Sequence, residues 1–316
     1  MSDDASRTAG LRLTTGELQK RLDDFVAEYL KDKSPQTAGT YRRSLNTFQK
    51  WYAVHKDRFR FTEEGVRAYK TYLMDERELH QVSVSTYLTA IRRFCQYLVD
   101  IGLLEDNPAR DVKGNRRPST HSREVLTEQE VQDLVDHVDA STTIGKRDLA
   151  IIYVMLYAGL SEIEVVRADL QDLEQTLMGW LLWVQGKGQK AKDQQVPVDE
   201  RVLEKIRIYL DVRGRYRPRD PLFVSHGNRS EGKRLNTRSV RSRINTHLKK
   251  ADLKRPGVSP HSLTHTAALI WLNEGMPVEE VKQRMRHGTL DTTMIYYKKK
   301  GLLKRDPEEL KDLLSD

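Results

Sequence analysis

The chain has 316 residues, enough for two domains that each bury a core of their own. Charged residues make up 32% of it and the net charge is +8, which favours a polyanionic partner, nucleic acid or an anionic membrane surface, without choosing between them. No apolar run approaches the roughly 20 residues that span a bilayer, the start Met1-Ser2-Asp3-Asp4 carries no secretory pattern, and the single cysteine, Cys95, excludes an intrachain disulfide framework and a cysteine-based zinc site, so a soluble, cytoplasmic protein is expected.

Residues 1–14 are polar and small and read as a disordered arm. From there Leu18, Leu22, Phe25, Val26 and Tyr29 recur at helical spacing, with Thr15 as the expected N-cap. A second helix follows Ser34-Pro35 and turns Tyr41, Leu45, Phe48 and Trp51 inward. Thr62 caps a third helix with Val66, Tyr69 and Leu73 inside, and a fourth, after Ser83, buries Tyr87, Ile91, Phe94, Cys95 and Leu98. Four helices with short connections make a bundle-like domain over residues 15–112. Residues 113–124, with Lys113, Gly114, Arg116, Arg117, Pro118 and Arg123, lack apolar periodicity and form a basic linker: a solvated tether, or one that lies along phosphates.

The second domain, 125–316, opens on a capping-box spacing from Thr127 to Glu130. An apolar helix over 148–159 is expected to be buried nearly all round. Residues 180–185 and 194–198 read as two strands joined by the basic turn Gly186-Lys187-Gly188-Gln189-Lys190-Ala191-Lys192. Helices dominate afterwards. One, within residues 229–250, sets Leu235, Val240, Ile244 and Leu248 against a cationic face with Arg238 and Arg241. The fold class is therefore mainly α with a small antiparallel β-sheet. Near the end, Pro307 starts a short helix with a Leu310, Leu313, Leu314 stripe, which packs on its own domain or docks on a neighbouring subunit.

Three C-terminal segments stand in order: Pro260-His261-Ser262-Leu263-Thr264-His265-Thr266-Ala267-Ala268, then Arg286-His287-Gly288, then Thr292-Thr293-Met294-Ile295-Tyr296. With Tyr157-Ala158-Gly159-Leu160-Ser161-Glu162-Ile163-Glu164-Val165, Gly186-Lys187-Gly188 and the Ser34-Pro35 helix start, they resemble the tyrosine recombinases, the phage integrases and Xer-type enzymes, over about residues 15–300. The resemblance implies a helical, SAM-like core-binding domain followed by an α+β catalytic domain. It implies that Tyr296 is a nucleophile that forms a 3′-phosphotyrosyl link without a cofactor. Lys187 matches the general acid, His261 and His287 match residues for proton transfer and phosphate contact, and Glu164 matches an acidic brace.

The same resemblance exposes two departures. Ser161 and Thr264 stand where the family carries arginines, and a hydroxyl offers one neutral donor where a guanidinium offers a charged fork. Arg286, at a position the family commonly fills with Gly, is the favoured replacement cation, against a plainer role as a surface phosphate contact. Expected DNA contacts are Arg42, Arg43, Arg92, Arg116, Arg117, Lys190, Arg238, Arg241 and Arg286. His265 reads as structural. The i, i+4 pair His261 and His265 is spaced for a metal, yet no Glu follows His261 and no cysteine is near, so no metal is expected.

Two functions stay open. One is site-specific cleavage and rejoining of double-stranded DNA by a homo-tetramer, with partner recombinases an option and catalysis altered or impaired. The other is a DNA-binding accessory or architectural protein of the same fold that does not cut. Neither uses a membrane.

Overall fold

The computed structural model describes residues 10–114, 124–186, 189, 191–227 and 230–297, apart from the side chains of residues 35 and 36. They fall into two compact units that divide after residue 119. Among the described residues no helix is long and apolar enough to cross a membrane.

The first unit packs α1 (Thr15–Tyr29), α2 (Pro35–His55), α3 (Glu63–Thr71), a π-turn (Tyr72–Glu76) and α4 (Gln81–Asp100). Each start is chemically marked. Thr14, not Thr15, caps α1, because Glu17 reaches back to the Thr14 N–H at 2.7 Å and completes a reciprocal box. Ser34 caps α2 ahead of its proline, and Thr62 caps α3. The fourth helix begins at Gln81 with His80 as cap, two residues before the Ser83 boundary that the sequence suggested.

Aromatic rings dominate this core. Phe48 meets Phe59 edge-on at 5.6 Å and Tyr69 at 5.0 Å, and all three are buried. Cys95 is fully buried, and burial pushes its thiol up to about 12, so it packs as a small hydrophobe.

Arg92 departs from expectation. Its Nε donates to the Ala109 carbonyl and its Nη2 to the Val112 carbonyl, both at 3.0 Å. Asn107 completes the clip by donating to the Arg92 carbonyl at 3.0 Å. The residue expected to grip DNA instead fastens the chain that leaves α4, because the Ala109 and Val112 carbonyls lie beyond the helix and need donors from elsewhere.

The second unit contains α5 (Glu128–Asp136), α6 (Thr143–Leu156), α7 (Glu162–Arg167), strands β1 (Leu173–Thr176), β2 (Gly179–Val184) and β3 (Gln194–Val198), then α8 (Glu200–Arg213), α9 (Thr237–Lys250), α10 (Pro260–Asn273), α11 (Val278–Arg284) and α12 (Leu290–Tyr297). The strands form one antiparallel sheet in the order β1-β2-β3, with Leu182 opposite Val196 and both buried. β1 is an addition to the sequence reading. α6 starts at Thr143, earlier than the apolar run, and its central turns are buried as expected.

α9 buries Val240, Ile244 and Leu248 and brings His247 into the core. There Asp148, 1% exposed, accepts from His247 Nε2 at 2.9 Å, from Arg243 Nε at 2.7 Å and from Arg147 Nη2 at 2.6 Å. Burial alone raises the Asp148 carboxyl, but these three partners outweigh it and hold the group below the usual carboxylate range. This network locks α6 to α9. α10 is enclosed on nearly every side, from Leu263 to Leu269, so the polar residues it carries must find partners inside the protein.

Candidate active site

The site is built on the N-terminus of α7, the first turns of α10 and the segment from Arg286 to α12. Gly159 makes the turn before α7 at φ +64°, and a Cβ there would meet the Trp271 ring at 2.6 Å. Ser161 then caps α7. Glu164 Oε2 accepts from the Ser161 N–H at 2.7 Å and from its hydroxyl at 2.8 Å. On α10, the buried Thr264 hydroxyl donates to the Leu160 carbonyl at 2.9 Å. Both hydroxyls at the expected arginine positions therefore direct their only proton into the protein.

Arg286 supplies a guanidinium beside them. Its backbone has φ +56°. Nε donates to Glu164 Oε1 at 2.7 Å, and Nη2 donates to Glu164 Oε2 at 2.9 Å and to the Gly159 carbonyl at 2.8 Å, while Nη1 donates to the Arg284 carbonyl. Four of its five donors are thus committed, and the side chain is 9% exposed. The expectation of a DNA-facing Arg286 is corrected: its donors are taken up by the buried Glu164 carboxylate and two main-chain carbonyls.

At the start of α10, His261 lies 3.6 Å from Glu162 Oε2, and Arg241 Nε donates to Glu162 Oε1 at 3.1 Å. Burial by itself raises the Glu162 carboxyl. The facing His261 ring, a backbone N–H and the Arg241 guanidinium outweigh it and hold the group down at about 2. Next in line, the His261 and His265 rings meet edge to face at 4.6 Å. His265 Nδ1 shares a hydrogen bond with the Tyr296 hydroxyl, and the Tyr296 ring is 5.3 Å from His265 and stacked at 5.9 Å on His287.

His287 Nδ1 is 2.9 Å from the Thr293 hydroxyl. Burial, the Arg286 charge and the His261 side chain together hold His287 down to about 4, so its imidazole is neutral at pH 7. Among the described residues, no group of three or more His, Cys, Asp or Glu side chains is placed to hold a metal ion.

The model of the phage integrase family matches residues 124–301, and that of the phage integrase N-terminal SAM-like domain matches residues 22–102. The chain belongs to the phage integrase family. Its relatives make it a Xer-like tyrosine recombinase: the tyrosine recombinase XerC of Myxococcus xanthus is 30% identical over 291 residues, 88% of this chain and 93% of that protein. XerC of Chlamydia pneumoniae is 30% identical over 252 residues, 79% of this chain and 77% of that protein. In fold it is similar to the XerH site-specific recombinase crystallised with palindromic difH substrate, at TM-score 0.71 and 16% identity over 96% of this chain and 84% of that one.

Within this recombinase, Tyr296, His261, His287 and Glu164 come together as the sequence grouping implied. Lys187, Lys190, Arg116, Arg117 and the helix expected after Pro307 lie outside the described residues. Arg42, Arg43 and Arg238 are exposed, the first two on α2 and the third on α9. Two residues of the site escaped the sequence reading. His265 was assigned to the fold, yet its ring holds the Tyr296 hydroxyl. Glu162 occupies an unconstrained position of its motif, so only an acidic residue at the first helical turn hinted at its pairing.

Proposed function

We propose that this recombinase cuts and rejoins double-stranded DNA at a specific site through Tyr296. The single observation that carries the reading is the Tyr296 hydroxyl hydrogen-bonded to His265, whose ring meets His261, while the Tyr296 ring stacks on His287. In the step envisaged, the phenolic proton passes to His265 Nδ1, the phenolate oxygen attacks the scissile phosphorus, and the P–O5′ bond breaks. A 3′-phosphotyrosyl ester forms, and the departing 5′ oxygen takes a proton from Lys187. His261 and neutral His287 donate hydrogen bonds to the phosphate.

Catalysis is altered, because charge on the non-bridging oxygens is the main burden in phosphoryl transfer. One lost oxyanion donor costs on the order of 10² to 10³ in rate. Here two arginines are replaced by inward-bonded hydroxyls. The protein acts as a homo-tetramer on duplex DNA, beside other recombinases where these are supplied, and so associates with the nucleoid. The XerH structure, determined with a difH substrate, supports duplex DNA as the partner.

A second reading, an accessory protein that binds without cutting, is favoured by the same inward bonds of Ser161 and Thr264 and by the committed donors of Arg286. A nicked suicide duplex separates the two. A covalent protein–DNA adduct that Tyr296→Phe abolishes establishes cleavage, whereas tight binding with no adduct assigns the accessory role.

A further inference from the structure

The unanswered question at this site is which cation faces the scissile phosphate. Ser161 and Thr264 carry no charge and spend their protons internally, and Arg286 is closed in by Glu164, Gly159 and Arg284. One further guanidinium is fastened to the site. Arg241, on α9, is bound through Nε to Glu162, and its side chain is 59% exposed while that of Glu162 is 9% exposed. A single bond at Nε leaves the outer edge formed by Nη1 and Nη2, which matches two oxygens of a phosphate.

Position supports the same conclusion. Glu162 holds Arg241 with one oxygen and faces His261 with the other. From His261 a continuous line of contacts runs through His265 to the Tyr296 hydroxyl. The Glu162 carboxylate, held down at about 2, is ionised across the working pH range. Glu162 also belongs to the first turn of α7, whose fixed backbone gives the long arginine side chain a rigid anchor.

We infer that Arg241, positioned by Glu162, is a catalytic residue that contacts the non-bridging oxygens of the scissile phosphate and takes over the charge neutralisation that Ser161 and Thr264 cannot provide. The inference rests on the cleavage reading proposed above. It makes Arg241 different in kind from Arg238, three residues earlier on the same helix, which is exposed, has no ion-pair tether among the described residues and serves as an ordinary backbone contact.

The experiment uses the full chain and a duplex selected from a random pool by wild-type binding, with the cut position mapped on the wild-type protein. Two substrates are compared under saturating protein: the ordinary phosphodiester, and one with a neutral methylphosphonate at the scissile position. A methylphosphonate carries no charge to neutralise. Arg241→Ala is expected to slow first-turnover cleavage of the phosphodiester by about 100-fold and to leave cleavage of the methylphosphonate at the wild-type rate. Arg241→Lys, which keeps the charge and loses the fork, falls between. Equal loss on both substrates makes Arg241 a mere binding contact and overturns the inference, as does no loss on either. Those two outcomes leave cleavage by Tyr296 standing. Absence of any wild-type adduct on either substrate instead removes the cleavage reading itself, and the inference with it.

Discussion

Arg286 and Glu164 form a two-pronged ion pair, Nε to Oε1 at 2.7 Å and Nη2 to Oε2 at 2.9 Å, between side chains only 9% and 5% exposed. The pair joins the segment after α11 to the N-terminus of α7. Glu164 in turn fixes Ser161, so one carboxylate sets the geometry of the turn that opens the site. A guanidinium thus lies beside Ser161, although it comes from residue 286 and faces inward.

Breaking that pair from the arginine side leaves a buried carboxylate without its counter-charge. Arg286→Ala is expected to destabilise the protein by about 3–5 kcal/mol, read from denaturant midpoints at constant slope. Arg286→Gly should be the milder variant by about 1 kcal/mol, since glycine tolerates the positive φ at this position. A glycine variant no more stable than the alanine one would contradict the strain assigned to residue 286.

Tyr296 and His265 test the proton path. Tyr296→Phe removes the proposed nucleophile and a hydrogen bond to a buried ring. No covalent adduct is expected, with stability lowered by about 1 kcal/mol. His265→Ala should retain DNA binding and slow first-turnover cleavage by about 100-fold. Wild-type cleavage in the His265 variant would return that residue to a purely structural role.

Acid should weaken the catalytic unit in two stages. The folded His287 is held at about 4, below its ordinary 6.5, so the native state resists protonation and its stability falls as pH drops from about 6.5 towards about 4. Glu162, held at about 2 against an ordinary 4.5, keeps its contribution above about 4.5 and loses it as pH falls towards about 2. Thermal denaturation across pH 2–8 reads both stages. His287→Gln should shrink the upper stage and leave the lower one in place, the remainder coming from His226, which burial also holds below its ordinary value; an unchanged upper stage would show that His287 does not titrate there.

Two arginines expected at DNA should behave in opposite ways. Arg92→Leu deletes two charged hydrogen bonds to the Ala109 and Val112 carbonyls, so it should cost about 2 kcal/mol of stability or more. Arg238→Ala, at an exposed position, should change stability by less than about 0.5 kcal/mol. It should reduce the slope of log affinity against log salt by about 0.9. A reversal of the two phenotypes would undo the placement of both residues.

The sequence by itself determined the helical first unit, most helix starts and the grouping of Tyr296, His261, His287 and Glu164. Caps such as Ser34, Thr62 and Thr127 act on amides two or three residues away, and apolar stripes repeat every three or four residues, so both are local and legible. Small errors arose where local signals competed: Thr14 and Thr15 are equally good caps until Glu17 chooses between them. β1 escaped because Leu173-Glu174-Gln175-Thr176 has too little alternation to signal a strand, and its state is fixed by hydrogen bonds to β2. Charge pairing was decided only by the tertiary structure. Arg286 meets Glu164 across 122 positions, Arg241 meets Glu162 across 79 and His247 meets Asp148 across 99. An arginine in a sequence carries no mark of which anion it will find. Burial settles the choice, because a carboxylate taken out of water must be met by the nearest guanidinium that the packed helices can deliver.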